Sequence, residues 1–110
     1  MALAVAIGAF GAHGLKSRVP NEDLIIFETG VRYQTYHSIA LIILGLMIYT
    51  MPNLKLSIIG YFFTSGILLF SGSLYLLVLT NLRWFGAITP IGGLCFIFGW
   101  MLFAIKIFKS

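Results

Sequence analysis

The sequence predicts an all-α integral membrane protein, a four-helix up-down bundle with an interfacial helical segment before its second span. Three observations predict it. Thr35 to Leu54, Leu56 to Leu82 and Trp84 to Ile105 each run without a formal charge; a bilayer core about 30 Å thick needs roughly 20 apolar residues in a helix, and two of the stretches exceed that. Hydrophobic residues make up 60% of the chain and charged residues 9%, against roughly 25% charged in a typical soluble domain, so no water-facing surface can be built. The breaks between the later blocks are a few residues long, which forces antiparallel neighbours. Lipid admits only helices or closed barrels, and the period-two alternation of barrel strands is absent.

Residues 1–110 read as a single transmembrane domain, with spans at about 1–15, 31–51, 56–80 and 84–108 and a polar, interfacial segment at 16–30. The first block, Met1 to Leu15, covers about 22 Å as a helix, short of a full span. It lacks the basic region of a signal peptide. It reads as part of a longer natural helix or a trimmed chain, rather than as a helix that borrows residues to reach the interface.

Pro20 and Asn21 punctuate the polar segment, and Glu22 and Asp23 suit the positive end of a helix dipole. A helix therefore begins near Asn21. Leu24, Ile25, Phe27 and Val31 give it an apolar side that suits the interface, and Gly30 marks the bend inward. The second span carries Arg32, Gln34, Thr35 and His37 in its first third and ends at the turn Met51-Pro52-Asn53. Asn81-Leu82-Arg83 ends the third. Pro90, Gly92 and Gly93 loosen the start of the fourth, whose freed carbonyls look to neighbours such as Thr89.

The net charge of +4 is not a nucleic-acid footprint, because the basic residues sit at block ends where they reach lipid headgroups. Lys16, Arg18, Arg32 and Arg83 fall on one side and Lys55, Lys106 and Lys109 on the other, a balance that leaves orientation open under the positive-inside rule. The lone Cys95 excludes an intramolecular disulfide and a cysteine-based metal site. Ser71 and Ser73 have no histidine or acid nearby in sequence, and the three carboxylates all lie between residues 22 and 28. Enzymatic templates therefore fail, and neither a cofactor nor a metal is expected.

Two groups of residues remain. Ala4, Gly8 and Ala12 recur every fourth position, a small-residue stripe that lets helix backbones approach in lipid. It serves packing within one chain or an oligomer interface. The second group is polar: His13, Glu28, Arg32, Tyr33, Gln34, Tyr36 and His37, with Lys16 as a headgroup contact. Glu28 and Arg32 stand in the favourable acid-first order for an ion pair on a helix. Tyr and His side chains would complete the remaining donors. His13 and His37 converge at one membrane side if the first two helices are antiparallel. Two histidines admit haem ligation, a zinc site completed by Glu28, or a proton relay through Glu28. The plainer readings are a network that locks the first two helices together, and a headgroup or anion site built on Arg32, Tyr33, Tyr36 and Lys16.

The stretches Gly8–Lys16, Phe27–His37, Phe70–Tyr75 and Ile88–Gly93 together resemble the YgdD/YwdK-like family, small multi-pass membrane proteins that share domain of unknown function 423. The resemblance covers nearly the whole chain and rests most on the first two stretches. This chain departs at its start, where such proteins carry about ten further apolar residues. The resemblance implies a four-span protein of the bacterial cytoplasmic membrane and transfers no mechanism. Two functions follow as expectations. One is a non-enzymatic accessory or interaction protein that packs with itself, as a homo-oligomer, or with a membrane-protein partner. The other is a small transporter or a lipid- or anion-binding protein working through the cluster around Arg32. Membrane lipids are partners in both.

Overall fold

A computed structural model describes residues 1–109, in which all regular structure is helical. Helix α1 runs Ala2–Leu15, its last five residues, Gly11–Leu15, wound as a π turn. Helix α2 is Asn21–Thr50, α3 is Ser57–Thr80 and α4 is Thr89–Lys109, the last preceded by a 3-10 turn at Arg83–Ala87. Asn21–Thr50, Ser57–Thr80 and Arg83–Lys109 are long and apolar enough to cross a membrane, and Ala2–Leu15 is shorter.

Local chemistry sets the ends. Pro20 is extended, at φ −60° and ψ 156°, and leads into α2 with Glu22 and Asp23 in the first turn. The helix stops at Met51, since a residue before proline is pushed out of helical geometry. Asn81 ends α3 in the left-handed conformation, φ 58°, which asparagine tolerates better than most residues.

Three expectations need correction here. The polar segment is not a separate element, because from Asn21 onward it belongs to the same 30-residue helix as the second span. Gly30 does not interrupt it. A Cβ there would lie 2.8 Å from the Tyr75 ring, so the missing side chain serves close packing. Pro90 does not loosen α4 either. It sits in the first turn, where its absent N–H has no intrahelical partner to lose.

Contact registers give the helix directions. On α1 and α2, Gly8 meets Val31 and Gly11 meets Phe27. On α2 and α3, Gly30 meets Tyr75 and Leu44 meets Gly60. On α3 and α4, Phe63 meets Gly99 and Phe70 meets Gly92. Each pair closes in one number as it rises in the other, so successive helices run antiparallel. Ala40, Leu44, Leu56, Ile59, Phe63 and Phe96 form one buried cluster, and Leu15, Phe27, Leu77 and Val78 a second near the α2 start.

The small-residue stripe lies partly elsewhere than expected. Ala4 is buried, Gly8 and Gly11 receive Val31 and Phe27, and Leu15 is buried. Ala12 is exposed. At about 100° per residue, Ala12 is turned about 80° from Ala4, whereas Gly11 is turned only about 20°. The face against α2 is therefore Ala4, Gly8, Gly11 and Leu15.

Candidate functional site

Gly30, Gln34 and His37 fall on the inward face of α2, one or two turns apart, and each meets a polar group of another helix. The Ser71 hydroxyl donates to the Gly30 carbonyl at 2.6 Å. Ser71 is fully buried and ends a π turn, Ile67–Ser71, within α3. The Tyr75 hydroxyl donates to Gln34 Oε1 at 2.6 Å. Nearby, the hydroxyls of Ser73 and Thr89 share a bond of 2.5 Å that ties α3 to α4.

His37 is the centre of the site. Its Nδ1 lies 2.8 Å from the Tyr33 carbonyl, and Trp100 Nε1 lies 2.9 Å from its Nε2. A carbonyl only accepts and an indole N–H only donates. The partners therefore fix one tautomer, a neutral ring with its proton on Nδ1, donating to Tyr33 and accepting from Trp100. The ring is 4% exposed and stacks on Phe96 with centroids 3.6 Å apart and planes 11° off parallel. Phe63 meets it edge-on at 5.3 Å. Among the described residues, no buried side-chain nitrogen or oxygen lacks a partner.

Glycines position this cage. Phe96 of α4 lies against Gly66, and Phe63 of α3 fills the space at Gly99, where a Cβ would be 2.7 Å from its ring. At Gly92 the α3 backbone itself comes close, with Leu69 C at 2.8 Å from where a Cβ would stand. Such glycine-mediated approach brings Phe96 and Trp100 within reach of α2.

A second polar group closes one end of the bundle. Arg83 holds Asp23 in a forked pair, Nη1 to Oδ1 at 3.0 Å and Nη2 to Oδ2 at 3.1 Å. The Asp23 side chain is 8% exposed and that of Arg83 55%. This pair joins the first turn of α2 to the turn before α4.

The sequence-predicted residues divide accordingly. Gln34 and His37 enter the core, and Tyr33, partly exposed, lays its ring on Phe70 at 4.7 Å. His13, Lys16, Glu28, Arg32 and Tyr36 are exposed. The expected Glu28–Arg32 pair does not form; among the described residues the ion pair is Asp23–Arg83. Both Glu28 and Arg32 point off the outer face of α2, whereas Asp23 is buried where Arg83 can reach it. The two histidines do not converge. The α1–α2 register sets His13 level with residue 25 or so, about 18 Å along the helix from His37. No three of His, Cys, Asp and Glu among the described residues gather into a group that could hold a metal ion.

Arg32→Leu is consequently expected to leave stability in detergent within about 0.5 kcal/mol of the parent, as for substitutions at unpaired, exposed positions. Thermal unfolding of the two proteins side by side checks this, and a loss of several degrees would mean a partner for Arg32.

Ser71, Tyr75, Trp100, Asp23 and Arg83 escaped the sequence reading as site residues. One signal was available for Trp100: an indole N–H deep in an apolar block must find an acceptor. Its acceptor, His37, lies two spans away on α2, beyond what local sequence can point to.

The profile of a family described as "Protein of unknown function (DUF423)" matches residues 7–93. A UPF0382 membrane protein of Staphylococcus aureus (strain bovine RF122 / ET3-1) is 45% identical over 107 residues, 97% of this chain and 87% of its own length. One of Staphylococcus haemolyticus is 45% identical over the same shares. The UPF0382 membrane protein YwdK of Bacillus subtilis is 40% identical over 108 residues, 97% of this chain and 88% of its own length. No solved structure matches.

Proposed function

The chain belongs to the DUF423 family, and on that premise we propose that it is a non-enzymatic accessory or interaction protein of the bacterial cytoplasmic membrane. In this reading α1 to α4 cross the bilayer as an up-down bundle, and the bundle packs with a second copy or with a partner's helices. One observation carries the reading: the interior polar side chains are spent on one another. Gln34, His37, Ser71, Ser73 and Tyr75 all hold protein partners. A transport site needs polar groups that face a cavity, and the grooves along α4 are walled by Phe98, Met101, Leu102 and Ile105 instead. Such walls suit lipid tails and other helices.

The alternative is a transporter or a lipid- or anion-binding protein working through the cluster around Arg32. It draws on the exposure of Arg32, Tyr36 and Glu28 without an ion-pair partner.

Two measurements separate these readings. A photocrosslinking residue at Phe98, Met101 or Ile105 in native membranes is expected to give a discrete protein adduct from at least one position. Proteoliposomes of the parent are expected to show no protein-dependent proton or phosphate flux. Flux that disappears in Arg32→Gln, with lipid adducts alone at all three positions, would replace the first reading with the second.

A further inference from the structure

The forked Asp23–Arg83 pair borders a cleft of about 380 Å³ at the end of the bundle, where the α1–α2 connection meets the end of α3. Arg18, Asp23, Asn81 and Arg83 line its polar side, and Val78 and Leu79 its apolar side. We propose that this cleft binds a phosphate oxyanion, as carried by an anionic phospholipid headgroup, with Arg18 and Arg83 as the donors. The site is distinct from Arg32 and rests on the membrane location alone. Its failure would leave the packing and partner reading untouched.

Four features carry the assignment. The first is donor geometry. A guanidinium has five N–H donors in a fixed fork. Asp23 takes one from each terminal nitrogen of Arg83, so three remain for a ligand. Asp23 also holds the fork in place, so its ordering cost is met before the ligand arrives.

The second feature is charge. Arg18 and Arg83 against Asp23 leave one net positive charge in the cleft, which a phosphodiester monoanion neutralises. Arg18 is exposed and forms no ion pair among the described residues. Planar forks of this kind match phosphate bidentately, which a single lysine would not.

The third is depth. Trp84, 59% exposed and stacked on Phe85 at 4.1 Å, adjoins Arg83. Exposed tryptophan beside arginine at a span end marks the headgroup level. The fourth is the wall opposite the arginines. Val78 is buried and floors the cleft, and Leu79, 56% exposed, continues from it onto the outer side of α3. A headgroup phosphate between the arginines would thus have its acyl chains running down an apolar helix.

Native mass spectrometry of the full chain in micelles tests this with phosphatidylglycerol, phosphatidylcholine and inorganic phosphate as probes. The parent is expected to retain phosphatidylglycerol over phosphatidylcholine by about threefold to fivefold, the size of an exposed charge pairing. Arg18→Gln, which disturbs no internal bond, is expected to abolish the preference. Arg83→Lys keeps a charge for Asp23 but loses the fork, and is expected to weaken retention. Lys55→Gln, at the opposite end, is expected to retain it in full. Phosphate binding that Arg18→Gln removes, without preference among lipids, assigns the same oxyanion site to free phosphate. Equal lipid preference in the parent and Arg18→Gln, or no lipid preference together with no phosphate binding, overturns the proposal.

Discussion

Gly92→Ala is expected to destabilise the protein by about 3 kcal/mol, the upper range for overpacking a well-filled interior. An added Cβ at Gly92 would press on the α3 backbone at Phe70 and Leu69, not on the tip of a movable side chain. Backbone cannot rotate away, so α3 and α4 would have to part. Parting them lifts Phe96 off Gly66 and Phe63 off Gly99, which widens the damage beyond one contact. Gly45→Ala supplies the contrast. Nothing lies within 4 Å of a Cβ at Gly45, so alanine there gains helix propensity, about 0.5–1 kcal/mol, and strains nothing. Unfolding of both variants in mixed micelles decides the point. Equal shifts for the two would mean that the α3–α4 contact is looser than the geometry requires.

The contrast between two glycines shows where sequence stops informing. Both stand in apolar blocks after a leucine or isoleucine, and the Pro90 and Gly93 that flank Gly92 do not say which of the two glycines touches a facing helix. What separates them is the facing helix, and its register is a tertiary property. The helices themselves were legible because lipid demands them: long uncharged runs, Met51-Pro52 and Asn81 mark where they end. The interfacial break at Gly30 was misread because glycine has two uses, and propensity cannot tell a bend from a contact.

The site was legible by half. Gln34 and His37 stood out as polar residues within a span, and both are central. Their partners did not stand out, since Tyr75 lies 41 residues from Gln34 in the chain and Trp100 lies 63 from His37; Ser71, which bonds the Gly30 carbonyl, is as remote. Glu28 and Arg32 were paired on spacing alone. Spacing places two side chains on one helix face without saying whether that face is buried. The helix dipole accounts for Asp23 in the first turn of α2 without a partner, so nothing local points to Arg83, 60 residues on.

His37→Ala is the second substitution expected to act strongly, at about 3 kcal/mol. Truncating a buried ring leaves a cavity between Phe96 and Phe63. It also orphans the Trp100 N–H, on a residue 45% exposed at the outer face of α4 where the surround is apolar, and an unsatisfied donor away from water costs about 1–3 kcal/mol. The two contributions can be told apart. Trp100→Phe keeps an aromatic ring and removes the donor, so it isolates the loss at His37 Nε2. Hydrogen bonds between membrane helices average about 0.6 kcal/mol, because the unfolded chain also finds partners in lipid. A value near 1 kcal/mol is expected for Trp100→Phe, since the His37 acceptor is 4% exposed and has no water to turn to. The double variant His37→Leu, Trp100→Phe removes donor and acceptor together and refills much of the space. It is expected to be more stable than the losses of the single variants His37→Leu and Trp100→Phe summed, because neither polar atom remains to be satisfied. Strict additivity in that cycle would mean that the two residues do not share a bond, and that His37 contributes through its stacking alone.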